Sequence, residues 1–179
     1  MALAPVIFVV GPSGVGKSEV SKWIEADLQF LHLDIDRRHG FGANGIRREW
    51  HQFSRGLDVA PLAARLRDRV AAANRCGAVL SFPSTRILTR EQIDTAKGAD
   101  ICTVVLWGPE GFCRKARRAR ELKNGRTLDD ARYERANRKA FDAYGSPEYA
   151  DLRGEAFQPD GSRWPRDYMM AIIRRRIAG

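Results

Sequence analysis

The residues most able to do chemistry lie near the head of the chain, in Gly11-Pro12-Ser13-Gly14-Val15-Gly16-Lys17-Ser18. Their spacing is G-x-x-x-x-G-K-[ST]. An apolar β-branched run precedes the pattern and a helical run follows it, which is the context it requires. The glycines let the backbone curl until successive N–H groups face phosphate oxygens. The following helix adds its positive dipole end. Gly11, Ser13, Gly14, Val15, Gly16, Lys17 and Ser18 are therefore expected to hold the phosphates of a nucleoside triphosphate, ATP with Mg²⁺. Lys17 supplies a mobile charge for the β- and γ-phosphates and is read as catalytic, and the Ser18 hydroxyl is read as a Mg²⁺ ligand.

A second cluster is Asp34-Ile35-Asp36. Two carboxylates two apart on an extended segment point the same way. Beside the phosphates, one could hold a metal-bound water and the other accept a proton from a substrate hydroxyl. The pair also suits a turn or a helix cap. Arg47, Arg48 and Arg86 could hold a substrate carboxylate or phosphate bidentately, or serve as surface charge. Trp50 and Phe53 could wall an acceptor pocket or belong to the core.

The net charge is +9, and much of the excess lies between Arg114 and Lys139. A basic patch of this kind attracts a polyanion, either ATP or nucleic acid. The guanine-reading pattern N-K-x-D is absent, since Lys123-Asn124 runs in the wrong order. Neither Phe82 nor Trp107 is the acidic residue that ends a strand in ATPase motors. The three cysteines, Cys76, Cys102 and Cys113, form no disulfide or zinc pattern. His32, His39 and His51 lack metal-ligand spacing.

These residues need elements to position them. Val6–Val10 reads as a strand buried on both faces, followed by a helix from about Gly16 to Leu28. Phe30–Leu33 reads as a second strand ending at the Asp pair, with a glycine-rich stretch from Gly40 to Gly45 after it. Pro61 opens an amphipathic helix carrying Leu62, Leu66 and Val70. Ala78–Phe82 is a third strand, and Thr89 caps a helix to about Lys97. Ile101–Trp107 is the fourth. Gly108-Pro109 turns into a basic helix broken at Asn124-Gly125, and another helix runs from about Leu128 to Tyr144. Glu155–Phe157 is a weak fifth strand, and a last helix near Pro165 points Met169, Ile172 and Ile173 inward. The alternation implies a parallel sheet with right-handed crossovers and helices on both faces. A length of 179 residues, 44% hydrophobic and 30% charged, suits one domain. No apolar run reaches the ~20 residues of a membrane helix. No basic segment leads a secretion signal, so the expected setting is cytoplasmic and off the membrane.

Nearly the whole chain resembles the shikimate kinase and gluconate kinase group of nucleoside monophosphate kinase-like P-loop proteins. The resemblance rests on the GPSGVGKS loop, the Asp34-x-Asp36 pair, the basic segment with Arg126, the Pro147-Glu148-Tyr149-Ala150-Asp151 stretch and Asp160-Gly161-Ser162. It implies an α/β P-loop NTPase sandwich of three layers, with a five-stranded parallel sheet of order 2-3-1-4-5 and a mobile lid. The expected organisation is one kinase-like domain over 1–179, with an acceptor region at about 34–75 and the lid at about 117–130. By the same resemblance Asp34 partners Mg²⁺ through water, and Asp36 binds substrate as the acid or base. Arg118 and Arg120 bind the triphosphate from the lid, Arg126 is catalytic, and Asp160 to Arg163 lie near adenine. The implied activity is ATP-dependent transfer of phosphate to a hydroxyl of a small polar metabolite, by a monomer or weak dimer. Two departures point away from shikimate itself. Ser81-Phe82-Pro83 stands where shikimate kinases place a glycine triplet, and Gly145 stands where they place an arginine. The gluconate kinase signature after the second strand is also missing. The alternatives are a nucleoside, nucleotide or polynucleotide kinase, and a non-catalytic ATP-binding regulatory protein.

Overall fold

The computed structural model describes residues 3–35, 46–56, 58–125 and 130–178. Val6–Val10 forms β1, and its five residues are all buried. Its side chains alternate between two cores. Val6, Phe8 and Val10 face one, whereas Ile7 and Val9 face the other. A continuous apolar strand is what a central position covered on both faces demands.

The remaining strands are β2 (Phe30–Asp34), β3 (Gly77–Ser81), β4 (Ile101–Trp107) and β5 (Arg153–Glu155). They pair in the order β2-β3-β1-β4-β5 as one five-stranded sheet, and every pairing is parallel. This is the order that the resemblance implies. β5 begins two residues before the Glu155–Phe157 run and ends at Glu155, after which the Ala156 N–H still donates to Trp107 O and Phe157 bridges Arg163 antiparallel.

The helices are α1 (Lys17–Leu28), α2 (Arg47–Arg55), α3 (Ala60–Ala72), α4 (Arg90–Gly98), α5 (Glu110–Lys123), α6 (Asp130–Gly145) and α7 (Arg166–Ala178). A 3₁₀ turn, Pro147–Leu152, precedes β5. The core on the Phe8 face takes Trp50 and Phe53 of α2, Leu62 and Leu66 of α3, Ile93 of α4, and Ala140 and Tyr144 of α6. The opposite core takes Val20 and Ile24 of α1, Cys113 of α5, and Met169 and Ile173 of α7. Ile172, expected inward, is only half-buried. Thr89 caps α4 through a capping box with Gln92, as its sequence position predicts.

Register places the site. Asp34 pairs with Ser81, and Val9 pairs with Ser81 on its other side. The carboxyl ends of β2, β3 and β1 therefore lie level, directly beneath the loop that follows β1. Ligands of open parallel sheets sit beyond such ends.

Candidate functional site

The loop from Gly11 to Gly16 leaves β1 and opens α1. Gly14 has φ +83°, and a Cβ there would stand 2.1 Å from the carbonyl oxygen of Cys113 on α5. Gly16 has φ +102°, and a Cβ there would stand 2.2 Å from the Arg163 guanidinium. Only glycine fits either position. No side chain caps α1 at Gly16, and a helix N-terminus of this kind can serve as an anion cradle. The Lys17 Nζ folds back and donates to the carbonyls of Gly11 and Pro12, each at 2.8 Å. Two backbone carbonyls of the loop thus hold that ammonium at the border of the cavity.

A cavity of about 260 Å³ lies against this loop. Gly14, Gly16, Lys17 and Ser18 line it from the loop, Asp34, Ser81 and Phe82 from the strand ends, Arg117 and Arg120 from α5, and Arg163 from the loop after β5. The lining thus combines four cationic side chains and the hydroxyls of Ser18 and Ser81 with the carboxylates of Asp34 and Glu19. Behind it, Ser81 Oγ donates to Ser21 Oγ at 2.8 Å and lies 2.9 Å from His32 Nε2. This buried polar chain fixes the Ser81 hydroxyl.

Of the expected site residues, Lys17, Ser18, Asp34 and Arg120 meet in the cavity together with Gly14 and Gly16. Arg118 does not line it and is exposed. The phase of α5 explains this. Buried Cys113 sets the inward face, and Arg117 and Arg120 follow it at helical spacing, whereas Arg118 falls a third of a turn away. Arg117, only 8% exposed, is the residue the sequence reading passed over. Its spacing from Cys113 was the available signal. Ser13 serves differently from its neighbours, because its N–H donates to Asn137 Oδ1 of α6 at 2.7 Å.

Arg48 and Arg86 are exposed and do not line this cavity. Arg48 borders a separate depression with Glu49, Gln52 and Arg65. Trp50 and Phe53 are core residues, 1% and 0% exposed. Phe82 joins them, its ring 4.9 Å from Phe8 and 4.8 Å from Trp50. The departure from a glycine triplet is thus filled by an aromatic core. Asp36, Arg126, His39 and the stretch from Gly40 to Gly45 lie outside the described residues, as does the side chain of Arg47.

The Cys113 thiol beside the loop is pushed up to about 12 by burial, against the pull of Arg163 and Lys17. It stays protonated and inert at neutral pH. Burial likewise raises Cys102.

With the cradle defined, the family follows. Residues 6–144 match the family AAA_33, described as an AAA domain. The chain belongs to that family. No curated protein matches the sequence. Among solved structures, the chain is similar to a gluconokinase from Sinorhizobium meliloti 1021 at 17% identity, covering 99% of this chain and 94% of that one, with a TM-score of 0.54. It is similar to a shikimate kinase from Bacteroides thetaiotaomicron at 17% identity, covering 98% and 99%, with a TM-score of 0.54. It is also similar to an APS kinase from Mycobacterium tuberculosis, solved in complex with AMPPNP and APS, at 22% identity, covering 97% and 98%, with a TM-score of 0.53. At these identities the likeness is one of fold, the P-loop kinase fold. Among the described residues no helix is long and apolar enough to cross a membrane.

Proposed function

We propose that the protein is an ATP-dependent phosphotransferase that moves the γ-phosphate onto a hydroxyl of a small polar metabolite. The observation carrying this reading is the convergence of Lys17, Ser18, Asp34, Arg117 and Arg120 on one cavity at the strand ends. The kinase fold of its neighbours supports it.

On this reading the loop N–H groups and Lys17 take the phosphates. Arg117 and Arg120 face the charge that spreads over the phosphoryl oxygens during transfer. Among the described residues no group of three His, Cys, Asp or Glu could hold a metal. That fits Mg²⁺, which keeps waters and substrate phosphates as ligands and asks little of the protein. Ser18 would be its direct ligand and Asp34 its partner through water. When bound, Mg²⁺ neutralises charge on the β- and γ-phosphates. Asp36 is assigned to the acceptor hydroxyl and Arg126 to the phosphoryl group. The acceptor region is placed at about 34–75 and the lid at about 117–130 of one kinase-like domain. A cytoplasmic setting agrees with three unpaired thiols.

A second reading puts the accepting hydroxyl on a nucleic acid. Lys115, Arg118 and Lys123 are exposed on the helix that borders the cavity and could engage a polyanion.

The test is a phosphate-transfer screen with ATP·Mg²⁺ over sugar acids, cyclic polyols, nucleosides and 5′-hydroxyl oligonucleotides, run beside Lys17→Ala. Transfer to one small hydroxyl compound, abolished by Lys17→Ala, is expected. Salt-sensitive transfer to the oligonucleotide selects the second reading. ATP binding with no transfer to any acceptor would leave a nucleotide-binding regulatory protein.

A further inference from the structure

Arg163 reaches the phosphate loop from 148 residues away in sequence. A tight turn brings it there. Gln158 N–H donates to Ser162 O, Gly161 N–H donates to Gln158 O, and Asp160 Oδ1 accepts from both the N–H and the hydroxyl of Ser162. Arg163 Nη1 donates to Val15 O and Nη2 to Gly14 O, both at 2.8 Å. Its Nε lies 3.6 Å from a Glu19 carboxylate oxygen, and the guanidinium lies 4.8 Å from the centre of the Phe157 ring. Ion pair, ring and fork together fix one orientation.

We infer that Arg163 is a positioning residue for the phosphate cradle, acting through the loop backbone. This rests on the phosphate-site reading above. The argument is one of peptide geometry. A loop that turns its N–H groups inward to an anion must turn the matching carbonyls outward. The Gly14 carbonyl shares its peptide with the Val15 N–H, and the Val15 carbonyl shares its peptide with the Gly16 N–H. Arg163, at the border of the cavity, therefore grips two successive cradle peptides by their carbonyls, opposite their N–H groups. Val15 is fully buried, so its carbonyl needs this donor. A cationic donor on a carbonyl also polarises its peptide and strengthens the N–H opposite. The fork thus holds the cradle in its anion-binding shape before any ligand arrives, which lowers the cost of binding. The segment Asp160 to Arg163, which the family resemblance places near adenine, has its arginine committed to the phosphate loop.

The experiment measures affinity for two probes, ATP and inorganic tripolyphosphate, in wild type, Arg163→Ala and Arg163→Lys. Apo-protein amide resonances of Val15 and Gly16 are recorded alongside. Tripolyphosphate has neither base nor ribose. The expected result is that Arg163→Ala weakens both probes by the same factor, about ten- to a hundredfold, the span of a charge-assisted hydrogen bond. Arg163→Lys, which keeps the charge and loses the fork, should recover part of that loss, and both variants should move the two amide resonances. Weakened ATP with unchanged tripolyphosphate would make Arg163 a base or ribose contact and overturn the inference. Weakened probes with unmoved amide resonances would make it a direct phosphate contact, which also overturns it. Variants that bind both probes like wild type overturn the brace alone. Wild type binding neither probe overturns the phosphate-site reading and the brace with it.

Discussion

Asp34 ends β2 level with Ser81 and shares the cavity with Ser18. A carboxylate there can orient a water on Mg²⁺, and an amide of the same shape does so poorly, because the anionic hydrogen bond is about twice as strong as the neutral one. Asp34→Asn should therefore raise the Mg²⁺ concentration for half-maximal turnover about tenfold, with ATP affinity in the absence of metal unchanged. Titrating turnover against Mg²⁺ for both proteins decides it, and superimposable curves would remove Asp34 from the metal's surroundings. This residue was legible in the sequence because it closes an apolar run just after a P-loop, so its address follows from local pattern. Arg163 and Asn137 were not legible as loop contacts. Nothing local to Gln158–Arg163 or to α6 states that a fork or an amide will meet a loop more than a hundred residues earlier, and only the packed sheet supplies that address.

At the scale of elements, the segment between β3 and α4 is held by two tyrosines. Tyr144 of α6 accepts the Leu88 N–H at 3.0 Å, and Tyr149 of the 3₁₀ turn donates to the Leu88 carbonyl at 3.0 Å. Both backbone groups of Leu88, which is itself buried, are thereby satisfied. Tyr144→Phe strands the N–H and should cost about 1–3 kcal/mol, read as a lower urea midpoint at unchanged slope. A midpoint equal to wild type would show that the N–H finds another partner. Burial also holds the Tyr144 phenol above its ordinary value. The folded state keeps that proton, so this group's contribution is intact below pH about 10 and falls as pH rises beyond it. The variant should lose that component of alkaline sensitivity. The elements themselves were largely legible. β1 and β4 are apolar runs whose ends match the strands residue for residue, and the Thr89 cap announced α4. α2 escaped because its polar residues outnumber Trp50 and Phe53, so its periodicity is carried by two side chains. The 3₁₀ turn escaped because it is too short to show a period.

Across the whole molecule, both helices that flank the proposed lid rest on the phosphate loop. α5 presses the Cys113 carbonyl so close to Gly14 that no Cβ fits, and α6 holds the Ser13 N–H through Asn137. On the proposed reading, a phosphate settling into the cradle would bear on both stems at once, and the charge of Arg117 and Arg120 would draw α5 toward it. Closing the segment at about 117–130 would exclude water from the transferring group. Hydrogen exchange with and without a non-hydrolysable ATP analogue tests this, provided that local and global effects are separated. A ligand at a hundred times its Kd stabilises the entire fold by about 2.7 kcal/mol, and every amide that exchanges only through global unfolding slows by that same factor. α4 (Arg90–Gly98) contributes nothing to the cavity lining, and its locally fraying amides, which escape that global effect, serve as the internal reference. Amides of Arg117–Lys123 near the end of α5, which exchange through local fraying, should slow toward that same limit, whereas the fraying amides of α4, which open with the ligand still bound, should not slow. Asn137→Ala should shrink that slowing in α6 while leaving it in α5, since the Gly14–Cys113 contact persists. Fraying amides of α5 and α6 that slow no more than those of α4 would mean that the ligand merely stabilises the fold, and that the stems do not carry phosphate occupancy to a lid.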